Sequence, residues 1–267
     1  MAAPPPIPPR PNEAAPPIPP RPGDAAPHPP PSPGHPAHPP AYPPVVVGRL
    51  IADGTEAKSG VLVRGVKWQA SGILEEGANL PGQDVRIRRP LTIHLGPSGS
   101  CIDGKGRQRT EILSWPPTAA GETWLYKWNF HLGPSIPSSS KFFHMTQLFS
   151  REQGGFVVAL GLVNGKIKIS SQLPPLIGPD GAPVPQPEVP VERYWGRTTY
   201  HRMVVRWGPG GSVDYTVQDA ATLEPLLQYR VADVHVPAGG SVKCGLYRAH
   251  VCSAAQAVVG DFDFVRR

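Results

Sequence analysis

The fold is decided by the stretch 123–132, which reads Thr123-Trp124-Leu125-Tyr126-Lys127-Trp128-Asn129-Phe130-His131-Leu132. Large apolar side chains occupy every second position from 124 to 132, and polar ones occupy 127, 129 and 131. Successive side chains of a β-strand point to opposite faces, so this pattern predicts a strand with one apolar and one polar face. We expect the aromatic face to lie in a core and the polar face to meet solvent or a binding groove.

Similar alternating runs recur along the chain between clusters of glycine, proline and serine, and none has a convincing helical period. The predicted strands cover residues 109–115, 123–132, 141–149, 155–162, 165–170, 199–207, 212–218, 225–230, 241–248 and 257–266. This spacing predicts an all-β fold, a sandwich of two antiparallel sheets. Asn164-Gly165 and the stretch 208–211 predict hairpin turns, and 171–191 predicts a long loop over one edge or over the groove.

A proline-rich tail precedes these strands. Of the 38 prolines, 21 fall in residues 1–44, and this composition predicts a disordered, polyproline II-like segment that joins no sheet. We therefore divide the chain into a tail, residues 1–44, and a β-domain, residues 45–267.

The tail contains motifs that partner domains recognise. The sequence Pro-Pro-Ile-Pro-Pro-Arg-Pro occurs at 5–11 and again at 16–22, and Pro-Pro-Ala-Tyr occurs at 39–42. The repeats fit the PxxPxR pattern of Src-homology-3 ligands, and the third motif fits the PPxY pattern of WW ligands. The predicted partner-binding residues are Pro5, Pro8, Arg10, Pro16, Pro19, Arg21, Pro39, Pro40 and Tyr42. The alternative is a plain spacer with accidental matches.

The net charge of +6 belongs to the β-domain, because two basic and two acidic residues cancel in the tail. This excess favours an anionic partner, and the lack of basic runs with interleaved aromatics argues against nucleic acid. Cys101, Cys244 and Cys252 have neither metal-ligand spacing nor the density of a disulfide scaffold, so we expect no metal and no cofactor.

The sequence has no basic-then-apolar leader and no apolar run of about 18 residues. We therefore expect a monomeric cytoplasmic protein without a membrane span, and export without a signal peptide is the open alternative.

Three further strands place polar side chains on alternate residues. They are Arg107-Gln108-Arg109-Thr110-Glu111, His144-Met145-Thr146-Gln147 and Lys243-Cys244-Gly245-Leu246-Tyr247. One face of the first would carry Arg107, Arg109 and Glu111, and one face of the third would carry Lys243 and Tyr247. If these faces line one groove, the groove is cationic and suits an acidic, hydroxyl-rich ligand such as a uronic-acid polymer. A solvated outer face gives the same alternation.

The order of these motifs resembles the polysaccharide lyases of the alginate and glucuronan lyase type, which have a concanavalin A-like jelly roll. That family has an Arg-(Ser/Thr)-Glu strand, a Gln-Ile-His strand and a Tyr-Phe-Lys-Ala-Gly-x-Tyr strand in this order. Here Arg109-Thr110-Glu111 is similar to the first, Gln147 begins the second, and 243–247 is similar to the third.

The resemblance implies a β-elimination that cleaves an acidic polysaccharide. It implies that Arg109 and Gln147 neutralise the uronate carboxylate and that Tyr247 is the catalytic acid and base. Lys243 and Glu111 are then orienting or binding groups. We add Arg107, Lys127 and Asn129 as substrate-binding residues on polar strand faces.

The sequence departs from the family pattern at the histidine, because Phe149 stands two residues after Gln147. His144 precedes Gln147 by three residues and points to the opposite face in a regular strand. Alternative bases are His131, Tyr200, His201 and His250. Three functions stay open: a lyase, a lectin-like module that binds without cleaving, and a scaffold whose tail recruits Src-homology-3 or WW domains.

Overall fold

The computed structural model describes residues 48–97 and 105–267. Sixteen β-strands and one short 3₁₀ helix, Val191–Arg193, make up its regular structure. The strands are β1 Arg49–Asp53, β2 Lys58–Val63, β3 Val66–Ala70, β4 Ile73–Glu76, β5 Pro90–Leu95, β6 Arg107–Ser114, β7 Thr123–Leu132, β8 Phe143–Ser150, β9 Gly155–Val163, β10 Lys166–Ser171, β11 Glu188–Pro190, β12 Arg197–Arg206, β13 Gly208–Asp219, β14 Pro225–Val236, β15 Gly240–Ala249 and β16 Ala255–Arg266.

The strands form two antiparallel sheets of eight. Sheet A has the order β1-β4-β5-β16-β7-β12-β13-β14, and sheet B has the order β11-β10-β9-β8-β15-β6-β3-β2. The two sheets share one apolar core, to which both contribute alternate residues. The predicted β-jelly-roll sandwich is therefore confirmed.

The opening stretch 123–132 is strand β7 in the centre of sheet A, between β16 and β12. Tyr126, Trp128, Phe130 and Leu132 are fully buried in the shared core, as the alternation predicts. The aromatic side chains bury the largest apolar areas available to a sequence, and a central strand is where both neighbours can cover them.

Both predicted hairpins are present. Val163 pairs with Lys166 across Asn164-Gly165, and both turn residues have positive φ, which is the conformation of a two-residue type I′ turn. Arg206 of β12 pairs with Ser212 of β13, so these strands form the second hairpin, although the glycine-rich stretch 208–211 already belongs to β13.

The prediction from sequence was incomplete before Arg107, where it named no strand and the structure has β1 to β5. The long loop 171–191 lies against β14, the edge strand of sheet A, because Leu173, Leu176 and the stretch 183–187 line one cavity together with Gln228, Tyr229 and Arg230 of that strand. The end of this loop forms β11, which pairs with β10 at the edge of sheet B. None of the described residues forms a helix with the length and apolar character needed to cross a membrane.

Candidate functional site

A cavity of about 590 Å³ opens on the outer face of sheet B. Its floor is formed by the neighbouring strands β6, β15 and β8, and its side by the turn into β9. It is lined by Arg107, Arg109, Phe142, His144, Gln147, Phe149, Gly154, Gly155, Phe156, Lys243 and Tyr247. Five predicted site residues thus lie together: Arg107, Arg109, Gln147, Lys243 and Tyr247.

The register of the three strands explains this convergence. Lys243 pairs with Gln147 of β8, and Tyr247 pairs with Arg109 of β6 and with His144 of β8. Residues opposite each other in an antiparallel pair point to the same face, so their side chains meet. The cavity therefore follows from alternation within each strand combined with the pairing between strands.

The expectation for His144 was wrong, because strand β8 is not regular. Its register with β9 shifts between His144 and Thr146, so one extra residue of β8 is accommodated there. Met145 and Phe143 both lie in the apolar core. His144 consequently points into the cavity on the same side as Gln147. In the family motif the histidine stands two residues after the glutamine. Here the bulge brings a histidine to the same face from three residues before Gln147.

A matching irregularity lies in β15, whose register with β8 shifts between Cys244 and Tyr247. Gly245 sits in this interval with a φ of +141°. A Cβ at this position would lie 2.3 Å from the carbonyl oxygen of Thr110. Only glycine fits such a conformation and such a close approach. Position 245, two residues before the catalytic candidate Tyr247, is therefore a glycine because of the backbone conformation and the close approach of Thr110.

Glu111 lies beneath the cavity and is only 2% exposed. Its Oε1 accepts a hydrogen bond from Nε2 of Gln147 at 2.5 Å. Its Oε2 lies 3.1 Å from Nε of Arg109, an ion pair whose atoms are not aligned for a hydrogen bond. A buried carboxylate needs such partners to offset the loss of water. Glu111 therefore positions Gln147 and Arg109 from below and does not line the cavity itself.

Lys243 is 5% exposed, and its Nζ lies 3.8 Å from the centre of the Phe149 ring. Burial lowers the pKa of this ammonium group, with a further lowering from the charges of Arg109 and Arg151 and an opposing effect of Glu111. The Phe149 ring thus gives the Lys243 ammonium group a cation–π contact that partly replaces its hydration shell. Phe149, which occupies the motif's histidine position, is a partner of the cationic side chain.

Tyr247 is 7% exposed and is held by two arginines. Its phenolic oxygen accepts a hydrogen bond from Nη1 of Arg107 at 2.7 Å. The guanidinium of Arg109 lies 4.2 Å from the centre of its ring, and Arg109 also donates to Gln69 at 3.1 Å. Because the phenolic oxygen accepts from Arg107, its own hydrogen is available to a ligand in the cavity.

The imidazole of His144 packs among three aromatic rings. The ring centres of Phe142, Phe156 and Tyr247 lie 5.3, 5.1 and 6.1 Å from its own. Nδ1 is buried and has no hydrogen-bond partner among the described residues. Burial lowers the pKa of His144, against the opposing charge of Glu111. The ring is therefore neutral at neutral pH and able to accept a proton.

Two predicted binding residues lie elsewhere, and for them the prediction is corrected. Lys127 and Asn129 belong to β7 of sheet A, on the face away from sheet B. Nζ of Lys127 lies 2.9 Å from Asp263, and Asn129 donates to Asp261 at 3.1 Å. Alternation alone identified their polar face correctly but could not show on which sheet, and against which acids, that face would lie.

None of the four alternative bases lines the cavity. His131 and His201 are fully buried, and their ring nitrogens contact Thr198 at 3.0 Å and Tyr215 at 2.8 Å. Tyr200 lies on β12 of sheet A, and His250 contacts the carbonyl of Pro97 at 2.8 Å.

Sequence reasoning missed Gln69, Phe142 and Phe156. The stretch Val66-Lys67-Trp68-Gln69-Ala70 alternates apolar and polar residues, so it could have predicted β3 and the polar face that carries Gln69. Phe142-Phe143 precedes His144 directly, and two consecutive aromatics in a strand must face opposite sides. Phe156 has no comparable signal, because it follows the glycine turn 154–155.

Within 48–97 and 105–267, no group of three or more His, Cys, Asp or Glu side chains is arranged to hold a metal ion. The proline motifs of the tail, from Pro5 to Tyr42, lie outside the described residues, and so does Cys101. Their predicted roles stay predictions.

No protein-family model matches the sequence, and a comparison with curated proteins found no match. Among solved structures, the endo-β-1,4-glucuronan lyase from the fungus Trichoderma reesei is similar with a TM-score of 0.51 and 13% sequence identity, over 78% of this chain and 93% of that one. An alginate lyase from Corynebacterium sp. matches with a TM-score of 0.47 and 14% identity, over 66% of this chain and 77% of that one. The alginate lyase AlgAT5 of polysaccharide lyase family 7 matches with a TM-score of 0.47 and 10% identity, over 67% and 78%. The similarity to the glucuronan lyase shows that the chain has the fold that its motifs predicted.

Proposed function

We propose that this protein binds an acidic polysaccharide made of uronate units and cleaves it by β-elimination. The observation that carries the proposal is the shared cavity of Arg109, Gln147, His144 and Tyr247. It combines cationic and amide donors for a carboxylate with two side chains that exchange protons. The fold similarity to a glucuronan lyase supports the proposal.

The first task of the site is to hold the uronate carboxylate. The cavity has three cationic side chains, Arg107, Arg109 and Lys243, and no acidic side chain among its described lining residues. Gln147 uses one N–H for Glu111 and retains a second for the substrate. Donors fixed in a partly dry site stabilise the negative charge that develops on the carboxylate, and this acidifies the proton on the adjacent carbon.

The second task is the proton transfer. The neutral imidazole of His144, or Tyr247 in its phenolate form, accepts the proton from the carbon that bears the carboxylate, and the electron pair of that C–H bond forms a double bond to the neighbouring ring carbon. The bond from that neighbouring carbon to the glycosidic oxygen breaks, and the leaving oxygen takes a proton from the Tyr247 hydroxyl. The ring centres of His144 and Tyr247 lie 6.1 Å apart, so both side chains can reach the same sugar ring.

The experiment is an incubation of the purified protein with polyglucuronate, polymannuronate and polyguluronate. The new double bond conjugates with the carboxylate, so product formation is followed by ultraviolet absorbance. Tyr247→Phe should lower the rate by about 10²- to 10⁴-fold, the range for loss of an acid or base group. Tyr200→Phe on sheet A is the matched control and should retain full activity. A Tyr247→Phe variant as active as the parent would refute the mechanism.

Binding without cleavage is the second candidate, and one contact favours it. Arg107 donates to the phenolic oxygen of Tyr247, which is the atom that must exchange the proton. This bond occupies one lone pair of the phenolic oxygen and leaves its hydrogen as a donor, which favours holding a sugar over removal of a carbon-bound proton by Tyr247. Calorimetric binding of a polyuronate with no gain in absorbance would select this candidate.

For the tail, we propose recruitment of Src-homology-3 or WW domains, supported by the exact repetition of 5–11 at 16–22. Two equivalent sites on one segment would raise the apparent affinity through avidity. Arg10→Ala/Arg21→Ala should abolish capture by Src-homology-3 domains. Equal capture of the intact protein and this double variant would contradict the proposal.

A further inference from the structure

A second cavity of about 220 Å³ lies on the same face of sheet B, towards the β3 and β2 edge. Lys67, Gln69, Trp115 and Arg151 are among its lining residues. It adjoins the first cavity, because Gln69 accepts a hydrogen bond from Arg109, which lines that cavity.

Cationic and aromatic side chains alternate between the two cavities. Lys243 lies 3.8 Å from the Phe149 ring, and Arg151 lies 6.0 Å from the same ring. Arg151 also lies 5.3 Å from the Trp115 ring, over which Lys67 lies at 3.4 Å. We call these five side chains, Lys243, Phe149, Arg151, Trp115 and Lys67, the cation–aromatic ladder.

The ladder runs away from Tyr247 along strand β15. From Tyr247 to Lys243 is four residues, which is roughly 13 Å of extended strand. Trp115 lies further in the same direction, since Ser114 just before it accepts a hydrogen bond from the amide of Val242. A ligand that touches both Tyr247 and Trp115 is therefore longer than a single sugar ring.

Hydrogen bonds fix the position of Arg151 in the outer part of the ladder. Nη1 of Arg151 donates to the carbonyl of Gly239 and to the hydroxyl of Ser241, both at 3.0 Å. Trp115 keeps 37% of its surface exposed although it is a large aromatic residue. The exposed part of the indole offers an apolar surface to the C–H groups of a pyranose ring, while the two cations beside it offer partners to its carboxylate.

We propose that the second cavity is a separate subsite for further uronate units of the same polymer, with Trp115 as the stacking platform and Arg151 and Lys67 as carboxylate partners. This rests on the function proposed above. The lining of the two cavities contains five cationic side chains and no acidic one among the described residues. A polymer with one negative charge on every unit matches this distribution, because each carboxylate meets a cation along the ladder.

The test uses Tyr247→Phe as the background, so that ligands are bound without being consumed. Binding of a uronate trisaccharide and of a hexasaccharide is measured by calorimetry. Trp115→Ala and Arg151→Gln should each weaken hexasaccharide binding about tenfold, which corresponds to one lost stacking or charged contact. Trisaccharide binding should stay unchanged. Arg206→Gln, an exposed arginine of sheet A, is the control for Arg151→Gln.

Each outcome decides between the two proposals. Hexasaccharide binding that is unchanged in both variants, or weakened equally with the trisaccharide, overturns the separate subsite. Dextran sulfate or single-stranded DNA that binds as tightly as the hexasaccharide overturns its uronate character. Failure of the Tyr247→Phe background to bind either oligosaccharide overturns the proposed function itself. Arg151 is exposed, so its substitution tests the subsite even if Trp115→Ala does not fold.

Discussion

The outer faces of the two sheets carry polar side chains in the same alternating pattern, yet their charges are arranged differently. On sheet A the cations have acidic partners: Lys127 lies 2.9 Å from Asp263, and Arg230 lies 3.2 Å from Asp214. On sheet B, Arg109 and Lys243 lie near Glu111, which is buried below the surface, and no described residue that lines either cavity is acidic.

This difference distinguishes a solvated face from a binding face. Paired exposed charges neutralise one another and contribute little to either stability or ligand binding. Cations that outnumber acids in a partly enclosed groove attract an anionic ligand. The pattern of alternation is therefore shared by both faces, and the balance of charge across strands separates them.

The largest effect is expected at the glycine that shapes the cavity floor. Gly245→Ala should lower the free energy of unfolding by about 4 kcal/mol, because backbone strain at φ +141° adds to the overlap with the Thr110 carbonyl. Gly210→Ala on sheet A should cost about 1 kcal/mol, since φ is +61° there and the new Cβ meets nothing within 4 Å. Urea denaturation measures both. Equal losses would show that the bulge in β15 does not depend on the glycine.

The second prediction compares the buried carboxylate with an exposed one. Glu111→Ala leaves the guanidinium of Arg109 and the amide of Gln147 without their partner, and should lower the free energy of unfolding by about 3 kcal/mol. Asp263→Ala should cost about 0–1 kcal/mol, because that carboxylate is 49% exposed. Chemical denaturation at constant pH checks both values. A negligible cost at Glu111 would mean that water in the cavity replaces the carboxylate.

The third prediction concerns the histidines of the two sheets. Burial lowers the pKa of His201 to about 3, and it also lowers the pKa of His144. Below pH 6.5 the unfolded chain binds protons at these sites that the folded chain does not bind, so stability falls as the pH decreases and is constant above that value. His201 alone should contribute a loss of about 2 kcal/mol at pH 5.

The measurement is urea denaturation at pH 7 and pH 5. His201→Gln should remove about 2 kcal/mol of the difference in stability between the two pH values, and His144→Gln should remove a further part. A pH difference that survives His201→Gln in full would refute the assignment.

The smallest effect is expected at Lys127, where a substitution should not change ligand binding at all. Lys127→Met should leave polyuronate binding unchanged, because Lys127 and its partner Asp263 both lie on sheet A, away from the cavities of sheet B. Lys243→Met should weaken binding by about tenfold or more, the value of one lost hydrogen bond to a charged group. Calorimetry on the Tyr247→Phe background compares the two lysines. A similar loss in both variants would place the ligand on sheet A.

Much of the fold could be predicted from local sequence patterns, because alternating polar and apolar residues indicate strands, and glycine and asparagine indicate turns. Strand β7 and the Asn164-Gly165 hairpin are predicted within a residue or two. The five strands before Arg107 have only four to six residues each, so their alternation is short and none of them was predicted. Strand β2 pairs at the edge of sheet B, and Val61 and Val63 are exposed, so burial leaves a weak signal there.

The candidate site was partly predictable for a related reason. Arg109, Lys243 and Tyr247 follow the regular alternation of their strands, and β6 and β15 pair without a register shift. Their common face can therefore be read from residue numbers. Lys127 and Asn129 follow the same rule, but no local property of β7 tells which sheet it will join.

By itself, the sequence determined the β-rich class, the aromatic face of β7 and the side-chain types available for an acidic ligand, since each depends on residues close together in the chain. Only the tertiary structure decided that His144 reaches the cavity. The bulge in β8 is set by its pairing with β9 and β15, and a partner residue such as Tyr247 stands 103 positions away from His144. Register between distant strands is a property of the whole sandwich, because it is fixed by how both sheets bury their apolar faces at once.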